Sequence, residues 1–134
     1  MADLDYPVSL RYSRDHEWIA TTEDDAVVRV GITDFAQEQL GDVVYVDLPA
    51  VGDSITAGES CGEVESTKSV SDLIAPVSGT ITEVNDSLDD APETVNSSPF
   101  EDGWMYLVEL SEPGQVESLM DSEQYKELIQ SEEA

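Results

Sequence analysis

Ala26 to Ile32 reads AVVRVGI, a β-branched run that predicts a strand. TDFAQEQLG follows and predicts a helix of about two turns, with Thr33 or Asp34 suited to its start and Gly41 to its end. The next run, VVYVDL, alternates so that Val44, Val46 and Leu48 are expected on one face. PAVGD is a turn, and SITAGESCGEVE carries short extended pieces broken by Gly58 and Gly62. WMYLVEL, from Trp104 to Leu110, is another strand, ended by SEPGQ. In the tail, Val116, Leu119 and Met120 form one helical stripe, and Tyr125, Leu128 and Ile129 a second. The closing SEEA is expected to fray. From Tyr6 to Trp18 the pattern is mixed, an apolar stretch followed by the charged SRDHEW.

Many short strands punctuated by Gly and Pro, with few helices, point to a mainly β sandwich or small barrel. A short internal echo fits this. PAVGDSIT at Pro49–Thr56 and PVSGTIT at Pro76–Thr82 are both Pro-x-x-Gly turns followed by Ile-Thr, and they flank the segment around Lys68.

The 134 residues suit one compact domain, and an apolar fraction of 40% supports a modest core. No run of about 18 apolar residues offers a membrane span. The acidic N-terminus lacks the marks of a signal or transit peptide, so a cytoplasmic protein is expected. One cysteine, Cys61, excludes an internal disulfide framework, and with a single histidine it is too little for a Cys/His zinc site. No metal site is expected. Cys61 reads as a small buried residue.

Five basic residues face 31 acidic ones, a net of −26, which would repel nucleic acid. The acids either serve a basic partner or suit a saline cytoplasm, where salt screens self-repulsion. Their spread along the whole chain favours the second, a halophile-type surface. Lysine is correspondingly rare: only Lys68 and Lys126 are present.

GEVESTKSVSDL places Val64 and Val70 three residues either side of Thr67, around the small polar turn Ser66-Thr67-Lys68-Ser69. A tight hairpin is expected, with both valines at its base and Lys68 at its tip. A random lysine is usually just solvated surface. Rarity, a protruding position and the acids Glu63, Glu65 and Asp72 nearby argue for more here. These acids should keep the amine protonated, which disfavours a Schiff-base catalyst and fits an amine awaiting an amide-linked group.

GEVESTKSVSDLIAPVSGTITEVN resembles the lipoyl-attachment segment of the glycine cleavage system H-protein family. RYSRDHEWI, VGITDFAQEQLGDVVYVDLPAVGD, VNSSPFEDGWMYLVEL and MDSEQYKEL resemble it in the same order, so the likeness spans roughly residues 9 to 130. Biotin carriers usually flank their lysine with methionines, whereas Thr67 and Ser69 stand here. Acyltransferase lipoyl domains lack the HEW and GITDFAQEQLGD segments.

The resemblance implies a hybrid barrel-sandwich, lipoyl-domain-like fold over residues 1–134, with the lipoyl hairpin at about 62–74, a short helix near 34–40 and short C-terminal helices. It implies lipoate held by an amide on Lys68, and a non-catalytic carrier of the aminomethyl group of glycine. The P protein (glycine decarboxylase) would load that group and the T protein (aminomethyltransferase) would remove it. The L protein (dihydrolipoyl dehydrogenase) would reoxidise the arm, and a lipoate-attaching enzyme would install it. An aminomethyl thioether collapses in water to ammonia and formaldehyde, so the loaded arm needs a sheltering cleft with acceptors for an ammonium. The resemblance assigns His16, Glu17 and Asp72 to that pocket. Asp15 departs from the family, where a small hydroxylated residue is expected. Trp18, Trp104 and Tyr106 read as core aromatics. Two rival classes are an H-like lipoyl donor or adaptor for other enzymes, and an enzyme using Ser13, His16 and Glu17. Against the enzyme, sequence neighbours rarely converge, and no second histidine, P-loop or metal cluster accompanies them.

Overall fold

The computed structural model of the chain describes residues 7–24, 26–112 and 114–133. The expectations for the extreme N-terminus, Pro113 of SEPGQ and Ala134 of SEEA lie outside the described residues. Two sheets face each other. The larger contains β1 (Arg11–Tyr12), β2 (Glu17–Thr21), β3 (Val27–Ile32), β9 (Tyr106–Leu110), β8 (Gly79–Val84) and β5 (Ser54–Ile55), in that spatial order. The smaller contains β4 (Val43–Asp47), β6 (Ser60–Ser66) and β7 (Val70–Ile74). All pairings are antiparallel, and neither sheet closes on itself. Between them lies the main core, built from inward positions such as Val28, Val30, Val46, Val64, Ile81 and Val108. This is the mainly β, lipoyl-domain-like barrel-sandwich expected. The echoed Pro-x-x-Gly segments pair with each other, Ser54 opposite Thr80 and Ile55 opposite Gly79.

Helix α1 (Asp34–Leu40) starts at Thr33, whose hydroxyl accepts from the Ala36 N–H at 3.2 Å. Gly41 ends it with φ 80° and ψ −157°, a conformation open essentially only to glycine. Two further single turns, α2 (Ser87–Asp90) and α3 (Thr94–Ser97), cross the loop before β9, and α4 (Gly114–Glu117) and α5 (Ser122–Glu133) form the tail. Helix α5 continues through SEE instead of stopping before it. It packs on a second, aromatic core of Tyr12, Trp18, Phe35, Tyr125 and Ile129. Trp18 and Tyr106 are buried as expected. Trp104 is half-buried beneath the Arg29 guanidinium, 5.5 Å from its ring centroid.

Two strand expectations are corrected. The alternation of VVYVDL is interrupted by an irregularity between Val43 and Tyr45. The extra residue turns Val43 and Val46 inward and leaves Val44 and Tyr45 exposed. The hairpin is centred between Thr67 and Lys68, not on Thr67. Glu65 therefore faces Val70 and Val64 faces Ser71. Alternation then buries Val64 and exposes Val70, so the two valines do not jointly hold the base.

Candidate functional site

Lys68 sits at the tip of the β6–β7 hairpin and is exposed. The turn is ordered by Ser66. Its hydroxyl oxygen accepts from the N–H groups of Lys68 (3.2 Å) and Ser69 (3.1 Å), its O–H donates to the Ser69 carbonyl (3.1 Å), and its own N–H donates to that carbonyl at 2.8 Å. The tip also rests on the loop after α1, where the Asp42 carbonyl accepts from Thr67 N–H at 3.0 Å. The lysine stem lies over Gly41: a Cβ there would stand 3.2 Å from Lys68 Cε. Asn96 on α3 fixes this seat, donating to the Gly41 carbonyl at 2.8 Å and accepting from Val43 N–H at 2.8 Å. Of the acids expected nearby, Glu65 flanks the turn opposite Val70, and Glu63 and Asp72 face each other two residues further down.

From the foot of the lysine a cleft of about 660 Å³ runs between β7, an edge strand, and the wall made by α1 and the turn before β2. Ile32, Phe35, Leu40, Val64 and Leu73 give it an apolar lining. Asp15, His16, Glu17 and Asp72 bring ionisable groups to it beside the polar Gln39, Ser69 and Ser71, so the structure brings all three pocket residues named from the sequence to one cavity, and Asp15 with them.

Glu17 is the unusual member. It is 3% exposed, yet both carboxyl oxygens are engaged: Oε1 accepts from the Ser13 hydroxyl (2.9 Å) and Oε2 from Ile74 N–H on β7 (3.0 Å). Burial pushes its pKa from 4.5 up to about 8. The Ser13 and Ile74 bonds oppose that rise and the Asp15 charge adds to it. Burial disfavours the charged form of this carboxyl, and a cation paired with it would favour that form. His16 is half-buried, and its Nδ1 lies 2.9 Å from the Tyr125 hydroxyl. Asp72 is exposed on the edge strand.

Ser13 and Glu17 do converge, against expectation, because a turn at Ser13–His16 folds them together. The Ser13 hydroxyl proton goes to the carboxyl and the imidazole Nδ1 to Tyr125, so the three do not form a nucleophile–base relay. Cys61 is half-buried, its thiol pushed up by burial and facing the Tyr106 hydroxyl at 3.7 Å, as suits a packing residue. Among the described residues no group of three or more His, Cys, Asp or Glu could hold a metal ion, and no helix is long and apolar enough to cross a membrane. Sequence reasoning missed Ser13 as a partner of Glu17, and Tyr125, whose spacing with Leu128 and Ile129 signalled only a core face.

A barrel-sandwich whose hairpin presents one lysine beside a long cleft has the architecture of the lipoyl-domain carriers. A crystal structure of a glycine cleavage system H protein from Mycobacterium marinum is similar, with a TM-score of 0.82 and 50% identity over 90% of this chain and 96% of that one. The model of the glycine cleavage H-protein family matches residues 10–132. The chain belongs to that family. The glycine cleavage system H protein of Anaeromyxobacter sp. strain K is 57% identical over 130 residues, covering 97% of this chain and 100% of that protein. The one from Micrococcus luteus is 60% identical over 119 residues, covering 89% and 93%. The role that goes with the family is that of lipoyl carrier in glycine cleavage.

Proposed function

We propose that Lys68 bears lipoate as an amide, and that the chain carries the aminomethyl group of glycine from the P protein to the T protein while catalysing nothing itself. The L protein reoxidises the arm, and a lipoate-attaching enzyme forms the amide. Residues 1–134 act as one carrier domain, with the attachment hairpin at about 62–74. When bound, the lipoyl group supplies the dithiolane that takes up the cargo.

The observation that carries this reading is an exposed tip lysine next to a cleft lined by Ser69, Val70 and Asp72 of the same hairpin and by the buried carboxyl of Glu17. The seat fits an amide-linked group. Ser66 holds the turn open to an enzyme, and the Gly41 surface leaves room for the lysine stem to lie flat. The cleft fits a loaded arm. Val64, Leu73 and Phe35 offer apolar surface for the arm to lie against, and Glu17, with Asp72 and His16, offers polar groups to an ammonium.

The test is reconstituted glycine cleavage with the P, T and L proteins. Lys68→Arg is expected to abolish it, and turnover supported by Lys68→Arg would defeat the reading.

We also propose that the acidic surface adapts the protein to a saline cytoplasm. The melting temperature is then expected to rise from low to molar salt, as screening relieves self-repulsion. A melting temperature that falls with salt would remove that claim.

A further inference from the structure

His16 is the described non-glycine residue with a positive φ, 68°. That conformation is costly for a side chain with a Cβ, so the surroundings must impose it. The backbone is held on both sides: Ser13 O accepts from His16 N–H at 3.2 Å, and His16 O accepts from Thr33 N–H at 3.0 Å. The ring is held as well, with Nδ1 2.9 Å from the Tyr125 hydroxyl and Phe35 tilted against it at 5.0 Å. The turn that results delivers Glu17 inward, onto Ser13 and Ile74.

Tyr125 is fully buried on α5, 109 residues along the chain from His16. The same hydroxyl lies 2.7 Å from Thr33 Oγ1, which caps α1 through Ala36 N–H. One oxygen on the C-terminal helix therefore joins the two components of a single cleft wall, the His16–Glu17 turn and helix α1. Tyr125 itself is not among the cleft-lining residues. We propose that Tyr125 is a positioning residue of the arm cleft, its hydroxyl tying left-handed His16 to the cap of α1 and so fixing the polar end of the cleft at Glu17. This rests on the reading that the loaded arm shelters there.

Tyr125→Phe removes the hydroxyl and keeps the ring. Tyr12→Phe is the matched control: Tyr12 is equally buried and stacked on Tyr125 at 4.7 Å, but its hydroxyl donates to the Pro7 carbonyl, away from the cleft. In the unmodified chain, Tyr125→Phe is expected to speed hydrogen exchange at the Ile74 and Ala36 amides by about five- to tenfold, the worth of one hydrogen bond, with no such change in Tyr12→Phe. In the lipoylated, aminomethyl-loaded protein the same variant should release formaldehyde and ammonia faster by about the same factor. Exchange and release at the wild-type rates in folded Tyr125→Phe would overturn the proposal. If wild-type protein itself releases its cargo as fast as a small aminomethyl thioether, the sheltering cleft is wrong, and amide exchange still judges Tyr125 separately. Should Tyr125→Phe not fold, His16→Gly serves instead, since glycine accepts a φ of 68° without strain. Release at the wild-type rate in His16→Gly would eliminate the residue through which Tyr125 acts.

Discussion

Lys68 stands on the hairpin tip beside the cleft and Glu17 lines its wall, and their environments are opposite. Lys68 is exposed on a turn whose order comes from one serine hydroxyl and backbone bonds. Glu17 is buried, doubly hydrogen-bonded and pushed up to about 8. An attachment point needs access, and its chemistry is supplied by whichever enzyme reaches it. A residue that receives a charged cargo needs shelter, because only a dry site makes one ion pair worth much. On the proposed function the carrier would divide its work by burial, with the covalent bond made at the exposed tip and the cargo held against the buried carboxyl.

The largest effect that would break this contrast lies at Glu17. Its folded carboxyl keeps its proton up to about 8, whereas the unfolded chain releases it near 4.5. Between those values the folded state binds the extra proton, so this group's contribution to stability falls as pH rises through the window and levels off above it. Glu17→Gln has no proton to lose. Denaturant melts of both proteins should show the variant gaining on wild type from pH 4.5 to 8, by roughly 3–5 kcal/mol at most. A gap that does not vary with pH would mean Glu17 is ionised in the empty cleft.

A smaller effect is expected at the tip. Ser66→Ala removes the turn's side-chain bonds and should cost about 1 kcal/mol, with faster exchange at the Lys68 and Ser69 amides and no change in the pH window of Glu17. A shift in that window would show that tip and cleft are not separate regions.

The tip was legible because it is local. A polar turn, a rare lysine and a strand on either side lie within a dozen consecutive residues, and a half-residue error in the hairpin's centre misassigned only Val70. The cleft was legible in part. The family likeness named His16, Glu17 and Asp72, and all three line it. What holds them was not legible, since Ile74 lies 57 residues from Glu17 and Tyr125 lies 109 from His16. Folding, not sequence spacing, brings those groups together. Helices α2 and α3 escaped because four residues are too few to show a helical period. The irregularity in β4 escaped because alternation assumes a regular ladder, and one extra residue reverses the faces.

Only two lysines, Lys68 and Lys126, compete to carry the arm. Intact mass followed by fragmentation of protein taken from its native host decides between them. A lipoyl addition is expected on the peptide containing Lys68 and none on the peptide containing Lys126. A bare Lys68 in cells actively cleaving glycine, or an addition on Lys126 in its place, would contradict it.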